Sequence, residues 1–257
     1  MNLNINEGGL LSLLVSLTTN EGAAYLVWIL CFLAVIAIGY LLGSVNSAIL
    51  ISKVLYRDDI RRYGSGNGGM TNMLRTYGMK AAGLTLVGDV LKTALAIGFA
   101  GLLFGFGYVR GVSVCPECYV AGLFAVVGHI FPVYYKFKGG KGVLVTAATA
   151  LILSPVVFGI LILVFAGIVW ASKYVSLGSI SVAFLYPVAL QAYFKVAFAG
   201  MSASGMISLC SILLALLIIW CHRGNIQRIM DRTERKISFK KKEKELTDKK
   251  DEQEDAE

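Results

Sequence analysis

The chain has 257 residues, 56% of them hydrophobic and only 16% charged, with a mean hydropathy of +0.70. That balance excludes an ordinary soluble globular domain and points to a polytopic membrane protein. The net charge of +8 looks like a nucleic-acid signal until it is divided: residues 223–257 hold 11 basic and 10 acidic side chains, which leaves +7 for residues 1–222. Beside apolar segments such a surplus orients helices and attracts anionic lipid heads or phosphorylated ligands, so no nucleic-acid partner is expected.

A predominantly apolar stretch of about 20 residues crosses a bilayer as a helix, because backbone polar groups in hydrocarbon are satisfied only within the helix. The expected fold is all-α, a polytopic bundle of about seven transmembrane helices over residues 25–48, 81–105, 118–135, 143–153, 155–171, 178–197 and 205–222. Leu10 to Leu17 is too short to cross, and with Glu7 in place of a basic region it is a poor signal peptide. Ser154-Pro155 interrupts the apolar run 143–171, which reads as one long helix or two short ones; a proline removes a backbone donor, so a break is expected there and a kink at Pro187.

Charge placement tests the count, since Lys and Arg in short loops concentrate on the cytoplasmic side. Lys53 to Lys80, Lys136 to Lys141, Lys173 and the tail from Arg223 then share one face, which puts the amino terminus outside and the carboxyl terminus in the cytoplasm. The expected organisation is an extracytoplasmic segment 1–24, a transmembrane domain 25–222 and a cytoplasmic tail 223–257. The start of that tail would contribute to a site, and its mixed-sign remainder from Lys236 would be disordered.

The polar interruptions carry the chemistry. Residues 61 to 75 are rich in glycine: Gly64, Gly66 and Gly68 let backbone amides converge on an anion, Ser65, Asn67, Thr71 and Asn72 add short donors, and Arg75 supplies a charge fork. Asp89 and Lys92 stand one turn apart near mid-membrane, where charges are costly and face the bundle interior; they suit a bracing role beneath a phosphate site. Cys115 and Cys118 form a local pair that reads as a disulfide or as free thiols, and without a second pair a zinc site is weak.

His129 precedes Ile-Phe-Pro and reads as a structural helix-end histidine. The next polar stretch, Lys136-Phe-Lys-Gly139-Gly140-Lys141-Gly142, is not a Walker A loop, because Tyr135 and Gly142 stand where that motif needs Gly and Ser or Thr. Gly64 to Gly69 matches G-x-G-x-x-G in letters but lacks the βαβ context. A third stretch, Ser172 to Ser179, and a fourth, His222-Arg-Gly-Asn225, lie on the same predicted face, so these stretches are expected to converge on one cytoplasmic site.

Gly43-Ser44-Val-Asn46-Ser47 with Gly64-Ser-Gly-Asn and Thr71-Asn-Met-Leu-Arg75, then Gly128-His-Ile-Phe-Pro with Phe137-Lys-Gly-Gly-Lys-Gly, Tyr174-Val-Ser-Leu-Gly-Ser179 and His222-Arg-Gly-Asn-Ile-Gln-Arg228 follow in order over nearly the whole chain. This pattern resembles the acyl-phosphate-dependent glycerol-3-phosphate acyltransferases of bacterial membranes, the PlsY family. Departures are Gly69-Met70 where Ala is usual before the Thr-Asn pair, Lys173 where Arg is usual, and Thr93 where Gly is usual.

The resemblance implies acyl transfer from acyl phosphate to the 1-hydroxyl of sn-glycerol 3-phosphate, giving lysophosphatidic acid and phosphate without metal or cofactor. It implies Ser65, Arg75, Lys141, Ser179, His222 and Asn225 as catalytic residues. Gly64, Gly66, Asn67, Gly68, Thr71, Asn72, Gly139 and Gly140 would bind phosphate, and Ser44, Asn46, Asp89 and Lys92 would stand behind them. The implied partners are acyl phosphate, glycerol 3-phosphate, membrane lipid and the soluble enzyme that supplies the acyl phosphate. His222 and a phosphate oxygen are both candidates for the hydroxyl proton. A phosphate-ester transporter could use the same cations and glycines, but its site would lie near the midplane between internal repeats, and no repeat is evident.

Overall fold

Apolar sequence makes the helices, and short polar residues start them. A computed structural model describes residues 9–18 and 20–237; the remaining residues, including most of the tail expected to be disordered, lie outside that description. Asn20 accepts a hydrogen bond from the Ala23 amide and opens a 24-residue helix, Glu21–Ser44 (α2), after the short helix Leu10–Ser16 (α1). The chain breaks at Val45, and Asn46 caps a second piece, Ser47–Leu55 (α3), through the Ile49 amide.

Past a 3₁₀ turn at Ile60–Arg62 comes α4, Met70–Phe104, 35 residues long with one non-helical position at Gly78 (φ 82°, ψ −169°). A two-stranded hairpin, Tyr108–Val109 (β1) with Val112–Ser113 (β2), leads into α5, Pro116–Ile130. The remaining helices are α6 Val143–Leu153, α7 Pro155–Ser172, α8 Val175–Ala197, α9 Gly205–Cys221 and α10 Arg223–Met230, the last bent by 54° from α9.

The described residues are all-α apart from that hairpin, as the hydropathy predicts. Among the described residues five helical runs are long and apolar enough to cross a membrane: Glu21–Leu55, Met70–Phe104, Pro116–Tyr135, Pro155–Ser172 and Val175–Ala197; α9 with α10 makes a sixth if the bent pair is one span. The expected fourth crossing, α6, has only 11 residues. At 1.5 Å per residue it spans about 16 Å, roughly half of a hydrocarbon core. Ser154 ends α6 and begins α7, with Pro155 at the first helical position, so the run 143–171 is two helices. The far end of α6 meets the β hairpin, where the Tyr108 hydroxyl donates to the Ile152 carbonyl. Pro187 lies inside a continuous α8.

The outer faces of α2, α4, α7, α8 and α9 carry exposed apolar side chains such as Leu30, Val87, Leu163, Val188 and Leu216, a surface suited to lipid. In the middle stands α5, buried along most of its length and packed on α2, α4, α6 and α9. Its contact with α2 is backbone to backbone. A Cβ on Gly43 would overlap the Ala125 backbone, and one on Gly128 would overlap the Tyr40 carbonyl. Glycine at both positions lets the helices touch.

Candidate active site

At the end of the bundle where α4, α6 and α8 begin and α5, α7 and α9 finish, the polar stretches meet. The first is organised by Asn72. Its Oδ1 accepts from the Ser65 amide at 3.0 Å, while its Nδ2 donates to the carbonyls of Ile60, Tyr63 and Asn67 at 3.2, 3.0 and 3.1 Å. One buried side chain thus shapes the whole turn, and its polar atoms face the loop backbone. Gly64 and Gly66 turn at φ of 59° and 71°, Gly69 precedes α4, and Thr71 and Arg75 follow one turn apart on that helix.

The second stretch is laced to the first. The Gly68 amide donates to the Gly139 carbonyl at 3.4 Å, and Arg61 donates to the carbonyls of Tyr135 and Lys138 at 3.1 and 2.8 Å while pairing with Asp59 at 2.6 Å. Gly139 and Gly140 give their amides to the last carbonyls of α5, Ile130 and His129, each at 3.1 Å. A Cβ on Gly140 would overlap the His129 ring and come within 2.7 Å of the Gly68 carbonyl. These glycines therefore let the loop press onto α5 and leave Lys141 at its tip.

Beneath both loops lies a buried charged network. Lys92 Nζ bonds Asp89 at 2.8 Å, the carbonyls of Gly43 and Val45 at 3.2 and 2.9 Å, and His129 Nδ1 at 2.9 Å. An ammonium only donates, so Nδ1 of His129 accepts. Asp89 also accepts from Ser47 at 2.8 Å. The lysine pins the break after α2, and from that break Asn46 Nδ2 reaches the Gly68 carbonyl at 3.1 Å. Ser44 accepts from the Val133 amide at 3.4 Å and donates to the Tyr40 carbonyl. The network joins the α2 break, α4 and α5, the elements on which both loops rest.

The third and fourth stretches close the cup. The Lys141 ammonium donates to Asn225 Oδ1, and Asn225 Nδ2 donates to Glu234 at 2.7 Å. Ser176 donates to the same carboxylate oxygen at 2.8 Å and Arg228 to the other at 2.7 Å. Burial pushes the Lys141 amine down to about 8, with Glu234 opposing that shift. Burial raises the Glu234 carboxyl, but hydrogen bonds from Asn225, Arg228 and Ser176 outweigh it and leave it below the usual carboxylate range.

His222 is buried, and its Nδ1 bonds the Ile218 carbonyl at 2.7 Å. A carbonyl only accepts, so Nδ1 carries the proton and the neutral ring leaves Nε2 as an acceptor. Ser179 turns its hydroxyl back to the Val175 carbonyl at 2.9 Å. Among the described residues Arg75 makes no close pair; it lies within electrostatic reach of Arg235 and Glu234. Cationic donors, a neutral imidazole and tight turns thus share one end of a membrane bundle, an arrangement able to hold phosphates and to accept a proton.

The family model for glycerol-3-phosphate acyltransferase matches residues 33–232. The chain belongs to that family. It is 39% identical over 207 residues to glycerol-3-phosphate acyltransferase 2 of Bacillus cereus strain ZK / E33L, covering 80% of this chain and 96% of the relative. It is 41% identical to glycerol-3-phosphate acyltransferase of Syntrophomonas wolfei, over 80% and 97% of the two chains. Among solved structures it resembles PlsY (YgiH), an integral membrane glycerol 3-phosphate acyltransferase, in its glycerol 3-phosphate form, with a TM-score of 0.68, 32% identity, and 80% and 96% coverage. The lysophosphatidic acid form of PlsY gives 0.67 and 31%, over 80% and 95%.

Two cup residues are not among those the sequence singled out. Ser176 sits one turn before Ser179 in the third stretch, and that spacing is a signal that could have found it. Glu234 lies in the mixed-charge tail, just past the last residue that the acyltransferase family model matches, and nothing in its sequence neighbourhood marks it. Cys115 and Cys118 are free thiols at the opposite end, ahead of and within α5.

Proposed function

We propose that this acyltransferase moves a fatty acyl group from an acyl phosphate to the 1-hydroxyl of sn-glycerol 3-phosphate, giving lysophosphatidic acid and inorganic phosphate. The observation that carries the reading is the junction of Asn225, Ser176 and Arg228 around one carboxylate, with Lys141 donating to Asn225, beside the Asn72-shaped turn and His222. This is a ready-made anion cup at the edge of an apolar bundle. The likeness to PlsY, solved in glycerol 3-phosphate and lysophosphatidic acid forms, supports the same substrate and product here.

An acyl phosphate is an activated mixed anhydride, so the protein needs to position two phosphorylated substrates and stabilise an oxyanion. In this mechanism Ser65, Asn67, Thr71, Arg75, Lys141 and Ser179 hold phosphates or the reacting carbonyl, while Asn225 orients the glycerol. The 1-hydroxyl attacks the carbonyl carbon and its proton goes to Nε2 of His222. The tetrahedral oxyanion collapses, the bond from the acyl carbon to the bridging oxygen breaks, and phosphate leaves. Gly64, Gly66, Gly68, Gly139 and Gly140 let the backbone approach the substrates closely, and Asn72, Asn46, Ser44, Asp89 and Lys92 hold the loops in place.

The acyl chain enters from the bilayer between apolar helices, and a soluble enzyme delivers acyl phosphate on the cytoplasmic side. Residues 25–222 then form the transmembrane domain of a bacterial cell-membrane protein, the amino terminus lies outside, and the carboxyl-terminal segment lies in the cytoplasm and completes the cup. The test is to give the purified protein in detergent an acyl phosphate and labelled glycerol 3-phosphate. Labelled lysophosphatidic acid is expected. Its absence, with uptake of glycerol 3-phosphate by proteoliposomes, would instead make the protein a transporter.

A further inference from the structure

The cysteine pair at the end of the bundle opposite the cup takes no part in the chemistry above. Cys115 is the N-cap of α5, Pro116 is its first residue, and Cys118 lies in its first turn. Helix geometry sets Cα atoms three residues apart about 5 Å from each other, inside the span that a disulfide bridges. The two thiols lie within interaction distance of one another, and both are free.

Their surroundings differ. Cys115 keeps 6% of its surface exposed, between exposed Val114 and half-buried Pro116 in the chain. Its thiol donates to the Glu117 carboxylate at 3.7 Å, and its amide donates to Ser113 Oγ at 3.3 Å, which fixes it where the β hairpin enters α5. Cys118 has no exposed surface, and its thiol points to the Ile97 carbonyl of α4 at 4.0 Å. A reagent therefore meets Cys115 first while Cys118 waits behind it, the arrangement that separates an attacking thiol from a resolving one. The pair is also a poor structural staple. Stabilisation by a disulfide grows with the length of the loop it closes, and a bond between residues three apart closes one of the shortest.

We propose that Cys115 and Cys118 are a redox-active dithiol, a site of thiol–disulfide exchange with small organic disulfides. The Cys115 proton passes to Glu117, and the thiolate attacks one sulfur of the small disulfide. That S–S bond breaks, and the first small thiolate leaves and takes the proton from Glu117. Cys118 then attacks the Cys115 sulfur of the mixed disulfide and displaces the second small thiolate, which takes up the Cys118 proton. Two cysteine thiols are oxidised to one protein disulfide, and one small disulfide is reduced to two thiols. The start of α5 sets the positive end of its dipole beside the sulfur on which negative charge develops. With the amino terminus outside, as proposed above, this end faces the extracytoplasmic side, where disulfides form and persist.

The test incubates the full-length protein in detergent with oxidised glutathione, blocks the remaining thiols with a maleimide and maps the products by mass spectrometry. The parent is expected to lose the thiols of Cys115 and Cys118 together, to give a peptide lighter by two hydrogens with no glutathione attached, and to regain both thiols in reduced glutathione, while buried Cys210 stays free. Cys118→Ser is expected to hold one glutathione on Cys115, and Cys115→Ser to hold none on Cys118. Stable glutathione on Cys115 of the parent, a Cys115 as unreactive as Cys210, or a bond that reduced glutathione does not open would each overturn the proposal. The readout needs no acyl transfer, so a failure of the acyltransferase reading leaves it intact.

Discussion

Replacing Lys92 with Met removes the ammonium that bonds Asp89, the Gly43 and Val45 carbonyls and His129, and leaves Asp89, 1% exposed, as a buried charge with only Ser47 donating to it. Removing one partner of a buried pair costs about 3–5 kcal/mol, because the remaining charge keeps its desolvation penalty and loses its counter-charge. For a chain of this size roughly 2–4 °C of Tm accompanies each kcal/mol, so Lys92→Met is expected to melt roughly 6–20 °C below the parent. The assay is thermal unfolding in detergent followed by the fluorescence of Trp28, Trp170 and Trp220. The double variant Asp89→Leu, Lys92→Met removes both charges and is expected to recover more than half of the loss, roughly 2 kcal/mol or more. A drop of under about 2 °C for Lys92→Met, or strictly additive losses in the double variant, would refute the idea that this pair anchors the loops.

Three further outcomes follow from the cup. His222→Ala removes the proposed proton acceptor, Nε2, and is expected to lower kcat by about 10²-fold or more; substantial turnover with an unchanged pH profile would hand that role to a phosphate oxygen. Gly140→Ala is expected to disable turnover, because its Cβ overlaps the His129 ring and crowds the Gly68 carbonyl at 2.7 Å; near-normal activity would show that the Lys141 loop tolerates displacement. Burial holds the Lys141 amine near about 8, so its positive charge is present below that pH and lost as pH rises through it. kcat/KM for glycerol 3-phosphate is therefore expected to decline above about pH 8 in the parent and to hold up in Lys141→Arg, whose guanidinium stays charged; identical profiles would remove Lys141 from phosphate binding.

Hydropathy located the membrane helices because burial in lipid is what their composition serves. It missed where α4 begins, at Met70 and not at residue 81, since the polar turns from Met70 to Lys80 protrude beyond the apolar part and carry no hydropathy signal. It also gave α6 the weight of a full crossing, although its residues end at Ser154 after 11 positions. Residue type revealed which segments gather at the polar end, but not what each side chain does there. Asn72 resembles a ligand in sequence, yet its atoms are spent on four backbone groups of its own loop, and the Ser179 hydroxyl is turned toward Val175. The juxtaposition of Lys141 with Asn225 spans 84 positions and needs the packed bundle to be seen. Glu234 is hidden for a different reason: one acidic residue in an alternating tail has no periodicity, and only the fold-back at Arg232 brings it into the cup.

In the proposed mechanism a hydroxyl attacks the acyl carbon of an acyl phosphate in this cup. An acyl phosphate carrying ¹⁸O at the bridging oxygen tests it directly, with glycerol 3-phosphate as acceptor and mass spectrometry of the products. Attack at carbon breaks the bond from the acyl carbon to that oxygen, so the label is predicted in the released inorganic phosphate, alongside an equal amount of lysophosphatidic acid. Label retained in free fatty acid, with a phosphorylated glycerol 3-phosphate as co-product, would mean attack at phosphorus and would contradict the account.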